Sequence, residues 1–281
     1  MRAYGRSTLV LAYPALVLGM FLLVPFGIMA ALSVFRRVPA GTFEPAMVPD
    51  NYLNLLTPFF LDRIGFTLGL SAAVAVVCVA LGFPFTYLLT RLPRRRQVPW
   101  LVFLLAVLAL SEVIVGFAWS VLLSRTAGLS NLLVWLGLLS QPESWAPGLT
   151  AMMLGLCYLA FPYTVLVLYP SLSRLDPSYL EAARTLGASP LRGFFGVIVP
   201  VSRPAILATL VMVFVFALGA YVLPQLLGRP QHWTLAVHIT DQALSRSNVP
   251  AAAAMSITLL LASLALVLVT AALGNRRKEQ P

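Results

Sequence analysis

Six apolar runs, each long enough to cross a bilayer, leave this chain few ways to fold. A hydrocarbon core about 30 Å thick needs roughly 20 residues of helix. Thr8–Phe35, Ile64–Leu89, Val98–Leu123, Pro147–Tyr169, Pro204–Leu227 and Pro250–Leu273 all reach that length. Lipid offers no hydrogen bonds, so each run must satisfy its own backbone. The expected architecture is an all-α membrane protein with six transmembrane helices. Composition agrees, at 60% hydrophobic and only 10% charged, where a soluble domain carries about 25% charge. So few charges cannot build a water-facing surface, which excludes a soluble enzyme, a disordered tail and a disulfide scaffold. The first run follows Arg2 and Arg6 as a signal peptide would. It is longer than the roughly 7–15 apolar residues of a secretory signal, and it reads as a permanent span.

Net charge is +10, carried by 18 Arg and the single Lys278 in short clusters between apolar runs. This is charge that membrane insertion reads, rather than a stripe for a phosphate backbone; lipid is the implied surrounding, and nucleic acid is no partner. The N-terminus, Arg91–Gln97, Ser171–Arg203 and the tail Gly274–Pro281 hold 13 of the 19 basic residues. Both termini are therefore expected in the cytoplasm. Arg36-Arg37, just beyond the first span, opposes this rule locally. Cys78 and Cys157 lie in apolar runs and read as small buried hydrophobes. One echo is present: Phe83-Pro84-Phe85-Thr86 in the second span and Phe161-Pro162-Tyr163-Thr164 in the fourth. Two kinked helices of similar role, or chance in an aromatic-rich chain, would each produce it.

The outer loops are short. Arg36–Arg63 and Ser124–Ala146 have room for a short interfacial helix each, for instance Leu129–Leu139 with Trp135 at headgroup level. Gly228–Val249 reads as exposed and ordered only by its neighbours. None is large enough for a binding domain, so solute capture falls to another protein. A phosphate-binding P-loop needs a lysine after its glycines, and Lys278 has no such setting. His232, His238 and Asp241 do not converge as metal ligands should. Asp176 and Glu181 share one loop rather than facing across a cleft, and Cys157 has no companion base. No catalytic site, metal or cofactor is expected in this chain.

The informative segment follows the fourth span. Asp176 before Pro177 is a helix start, and Gly187 is a helix stop. Ser189-Pro190 starts a second helix, which runs through Phe194-Phe195 towards Pro200. Two short capped helices between membrane spans form a platform, and Ala182-Ala183 would leave a smooth patch for a partner's groove. A hairpin that merely turns the chain is the plainer alternative.

Glu181-Ala182-Ala183, three residues, Gly187, nine residues and Val197-Ile198-Val199-Pro200 resemble the EAA loop of ABC importer permeases. Val197 and Val199 stand where the family pattern has Ile and Leu. The likeness extends to Tyr13-Pro14-Ala15-Leu16, Asn51-Tyr52, Leu81-Gly82-Phe83-Pro84 and the run from Gly219 to Gly228, which resemble the first permease of spermidine/putrescine-type importers. The resemblance implies a type I ABC importer permease fold, with one transmembrane domain over 1–281 and a coupling loop over 171–203. Glu181, Ala182, Ala183, Gly187 and Pro200 would couple it to separate ATPase subunits, which hold the ATP and Mg. A second, different permease and a periplasmic solute-binding protein complete the expected importer, in a bacterial inner membrane. Ser111-Glu112-Val113 departs from the relatives, which commonly place a basic residue there, and this leaves the substrate open.

A secondary transporter or channel acting without ATP, or a membrane scaffold, would equally be apolar, but neither needs a capped docking platform. Glu112 lies some 14 residues into the third span. A carboxylate there costs about 2.5–3.5 kcal/mol on insertion scales, so it faces protein or a watery path. It either attracts a cationic substrate or braces a neighbouring span or the partner permease. Trp119, Tyr163 and Tyr221 are further candidates to line the path.

Overall fold

A computed structural model of the chain describes residues 4–38, 43–126 and 128–275. Arg2 and Arg276-Arg277-Lys278, part of the topological charge, lie outside the described residues. Apart from one bridge between Arg36 and Glu44, every regular element among the described residues is helical. Four helices are long and apolar enough to cross a membrane: α1 (Tyr4–Ser33), α3 (Pro58–Arg91), α7 (Leu149–Ser173) and α14 (Val249–Asn275). Two bent pairs bring the number to six if each is one span.

Two of the six expected runs are not single helices. The run Val98–Leu123 is broken into α4 (Arg94–Leu108) and α5 (Glu112–Leu122), which meet at 93°. The cause is local: Leu110 N–H closes a tight turn onto Val107 O at 3.2 Å. Ser111 is extended at φ −63°, ψ 134°, and its carbonyl accepts the Val115 N–H at 3.0 Å to start a new helix. The run Pro204–Leu227 is likewise divided. α11 (Arg203–Gly219) stops where Ala220 turns extended, and α12 (Val222–Leu227) follows. Gly228–Val249 is more ordered than expected: α13 (Leu235–Thr240) begins with Leu235, Ala236 and Val237 buried. Each of the two outer loops holds a short helix, α2 (Asp50–Leu55) and α6 (Leu129–Trp135), the latter shorter than the expected Leu129–Leu139 and with Trp135 exposed.

The chain divides into two compact units. One comprises residues up to Asp62 and His238–Ala262. In it, Asn51 Nδ2 donates to the carbonyls of Ser33 and Phe35, both at 2.9 Å, and Tyr52 O–H donates to Ser33 Oγ at 2.8 Å. Asn51 thus satisfies carbonyls at and just beyond the end of α1, and Tyr52 holds the Ser33 hydroxyl. The other unit comprises Arg63–Val237 and the chain from Ser263. Its centre is α7, against which α3, α4, α11 and α12 pack. Small residues permit the closest approaches. A Cβ at Gly116 of α5 or Gly155 of α7 would meet Leu226 or Leu227 of α12 within 2.7 Å.

The proline echo is one contact. Thr86 Oγ donates to Gly82 O at 2.6 Å and Thr164 Oγ to Ala160 O at 2.7 Å, both buried. Gly82 lies against the Thr164 methyl, and the Phe85 and Phe161 rings meet edge-on at 5.4 Å. The two proline-containing segments face each other across α3 and α7. A methyl at Gly82 would stand 2.8 Å from Thr164 Cγ2, and the threonine cannot swing away without losing its hydrogen bond. At Gly155 the obstacle is the far end of the Leu227 side chain, which holds no hydrogen bond and can rotate about its own torsions. Gly82→Ala should therefore lower the melting temperature in detergent clearly more than Gly155→Ala, since overpacking costs about 1–3 kcal/mol where neighbours cannot yield. Equal melting temperatures would show that this contact gives way freely.

Candidate functional site

The platform between α7 and α11 is assembled from strong local signals. Asp176 Oδ1 accepts the Ser178 N–H at 2.9 Å, which starts α8 (Ser178–Thr185). The Ser178 backbone N–H, and secondarily its side chain, hold the Asp176 carboxyl below the usual carboxylate range. A lowered carboxyl contributes stability above its unfolded pKa and loses it as pH falls through the lowered value. This helix start is therefore complete at neutral pH. At the other end Gly187 takes φ +81°. Its N–H bonds Arg184 O at 2.9 Å, and the Ala188 N–H bonds Ala183 O at 3.0 Å. These two bonds form a Schellman stop, which needs a residue at ease in the left-handed region.

Ser189 then caps α9 (Pro190–Gly193), its Oγ accepting the Arg192 N–H at 3.3 Å. Phe194–Ile198 widens into a π segment ahead of α10 (Val199–Val201). Pro200 lacks an N–H, and its ring crowds the carbonyl of the preceding turn, which accounts for the widening. At Ser202 the chain bends by 70° into α11.

Packing settles which face is free. Ala183 is only 8% exposed. It lies with Leu180 against Gly193, where a Cβ would meet Leu180 Cδ1 at 2.6 Å. The expectation that Ala182 and Ala183 form one exposed patch is corrected: Ala183 joins α8 to α9, and Ala182 remains outside with Glu181 and Gly187. Sequence reasoning also missed the apolar part of that surface. Leu186, Leu191 and Phe195 are 89%, 71% and 66% exposed, and apolar residues scattered in a charged loop were the available signal. Beneath the platform, Phe194 meets Phe83 and Tyr87 of α3 at 5.7 and 5.2 Å between ring centroids. Phe83, Tyr87, Leu168, Leu172 and Ile198 form a buried cluster, with Leu180 and Phe194 packed on it.

The path candidates are spread over different elements. Glu112 stands half-buried in the first turn of α5. The restart of the helix at Ser111 gives Glu112 a helix N-terminus, which favours negative charge. Ser111 followed by Glu112 is a helix-start signal that hydrophobicity averaged over a span conceals. Trp119 meets Tyr158 edge-on at 5.8 Å, and Tyr163 stacks on Phe216 at 5.5 Å. Tyr221 is exposed at the break between α11 and α12. Cys78 and Cys157 are free thiols, with Cys78 Sγ 3.7 Å from the Cys157 carbonyl oxygen.

Apolar helices broken at two places and joined by a capped platform are the frame of a multi-pass membrane protein. The chain belongs to the binding-protein-dependent transport system inner membrane component family, whose model matches residues 82–279. It is 32% identical over 241 residues to the spermidine/putrescine transport system permease protein PotB of Escherichia coli (strain K12), covering 85% of this chain and 87% of that protein. Its fold is similar to that of a solved bacterial ABC transporter involved in the import of the acidic polysaccharide alginate. The TM-score is 0.79 at 18% identity, covering 97% of this chain and 96% of that one. A second structure of a bacterial alginate ABC transporter, in complex with an alginate pentasaccharide-bound periplasmic protein, matches with TM-score 0.75 at 18% identity, covering 98% and 97%. The protein is a binding-protein-dependent importer permease of the inner membrane. That membership decides against a channel or secondary transporter acting alone.

Ala183→Trp and Gly187→Val should both open the platform itself. The first overfills the contact with α9, at about 1–3 kcal/mol. The second forces a β-branched residue into the left-handed region, at roughly 1–2 kcal/mol. Amide hydrogen exchange across 178–193 should accelerate in both and stay at the wild-type rate in Ala182→Trp. Unchanged protection in Ala183→Trp would contradict the packing described.

Proposed function

We propose that this chain forms half of the translocation path of an importer for polyamine-type cations. The likeness to the spermidine/putrescine permease supports that substrate class. Six spans with both termini in the cytoplasm, over the single permease domain 1–281, would put the 171–203 loop on the cytoplasmic side. There it docks a separate ATPase subunit, which holds ATP and Mg; this chain itself hydrolyses nothing. A different permease chain supplies the other half of the path, and a periplasmic binding protein delivers the solute. The alginate transporter solved with its periplasmic protein supports that last partner.

The observation that carries the docking role is the outer face of the platform. Glu181 and Ala182 lie exposed on α8, beside exposed Leu186, Leu191 and Phe195. An apolar surface around a small residue, rigidly backed, suits a partner's cleft. Gly187 and Pro200 act by shaping this surface, and Ala183 by supporting it. Ala182→Trp fills the cleft from outside the platform's own packing. Membrane abundance should stay normal while the ATPase subunit is lost from the purified complex and uptake fails. An unchanged ATPase-to-permease ratio with unchanged uptake would leave the loop a mere turn.

Glu112 forms no side-chain hydrogen bond or ion pair among the described residues, which favours the cation-attracting reading over a strut within this chain. Trp119, Tyr163 and Tyr221 complete the proposed lining. Glu112→Gln should slow polyamine uptake on the order of tenfold, equivalent to about 1.4 kcal/mol on the barrier, with the complex intact. Unaltered uptake would remove Glu112 from the path.

A further inference from the structure

The pair Arg36-Arg37, which opposes the positive-inside rule, has a structural setting that transport does not explain. The end of α1 and the start of α14 enclose an open groove of about 420 Å³. Pro25, Ile28, Met29 and Leu32 line one side, and Val249, Ala252 and Ala253 line another. Ser256, also in the lining, turns its hydroxyl to Ala252 O at 2.8 Å, so its one donor is already satisfied. Arg37 follows Leu32 by five residues, and Arg246 follows the lining residue Ala243 by three. Arg37 Nη2 donates to Arg246 O at 2.6 Å, which joins the two rims.

Charge at this mouth is uneven. Arg246 is paired with Asp241 at 2.8 Å, and Arg36 stands opposite Glu44 in the backbone bridge. Arg37 is exposed, and among the described residues it makes only that one side-chain hydrogen bond. A guanidinium has five donors in a planar fork suited to phosphate. The occupant must therefore be apolar along its length, to replace hydrocarbon in the groove, and anionic at one end. We propose that this groove binds one acyl chain of an anionic phospholipid whose phosphate is held by Arg37. The site stands whichever solute the importer carries.

The test is photo-crosslinking from the groove's exposed rim. Ile28 is replaced by benzoylphenylalanine in the full chain, assembled with its co-expressed importer subunits. The complex is reconstituted in phosphatidylethanolamine vesicles with and without phosphatidylglycerol. Irradiation should give an adduct with the mass of phosphatidylglycerol. Arg37→Gln should lower its yield about fivefold, the equivalent of about 1 kcal/mol for one arginine at a membrane surface, and Arg37→Lys should retain most of it. An adduct to a second polypeptide would overturn the proposal. So would equal lipid adducts in vesicles lacking phosphatidylglycerol, or a yield indifferent to Arg37→Gln.

Discussion

The platform is useful only because it is fixed to the membrane helices beneath it. That fixing is the buried contact of Phe83 and Tyr87 on α3, Leu168 and Leu172 on α7, and Ile198 in the π segment, covered by Phe194 and Leu180. Short helices have little stability alone, since nucleation is costly and most helical stability in proteins comes from packing. α8 persists because both its ends are tied and Leu180 is packed on this cluster, and α9 because Ser189 caps its start and Gly193 is buried against Leu180 and Ala183. In the proposed docking role, a push on the exposed side would pass to α3 and α7 as a rigid displacement, because close-packed side chains do not compress. The proline echo lies on the same two helices, and Phe83 belongs both to it and to the cluster.

Much of this was legible in the sequence where the signal is local. Asp176, Gly187 and Ser189 act through neighbours one to five residues away, so their roles follow from residue type and spacing. The apolar character of the spans was equally plain. The facing of α8 was not: Ala182 and Ala183 are adjacent and alike, and only α9 packing through Gly193 decides which is covered. Nothing in the residues at 182 and 183 carries that information.

Broken spans were hidden for a different reason. Hydrophobicity averaged over twenty residues does not change when a helix stops and restarts at another angle. The restart at Ser111-Glu112 left a capping signal, whereas the stop at Gly219-Ala220 left only a glycine. Asn51-Tyr52 showed a resemblance but no reason, and the reason is the set of hydrogen bonds to Ser33 and Phe35. Interruptions within apolar segments are tolerated where they are buried in protein or line a watery cavity. Both breaks adjoin α12, which Gly116 and Gly155 allow to approach α5 and α7.

The central claim is that the Phe194 contact couples the platform to the spans. It is tested most directly by comparing basal and stimulated ATP hydrolysis in reconstituted Phe194→Ala complexes. Phe194 is half-buried, so its removal costs less than the ~3–5 kcal/mol of a fully buried phenylalanine, here where the platform meets α3, while the outer face stays in place. The account predicts that the ATPase subunit remains bound and basal hydrolysis continues, while stimulation by solute-loaded binding protein, and uptake with it, are lost. Full stimulation and uptake in Phe194→Ala, with the subunit bound, would contradict it.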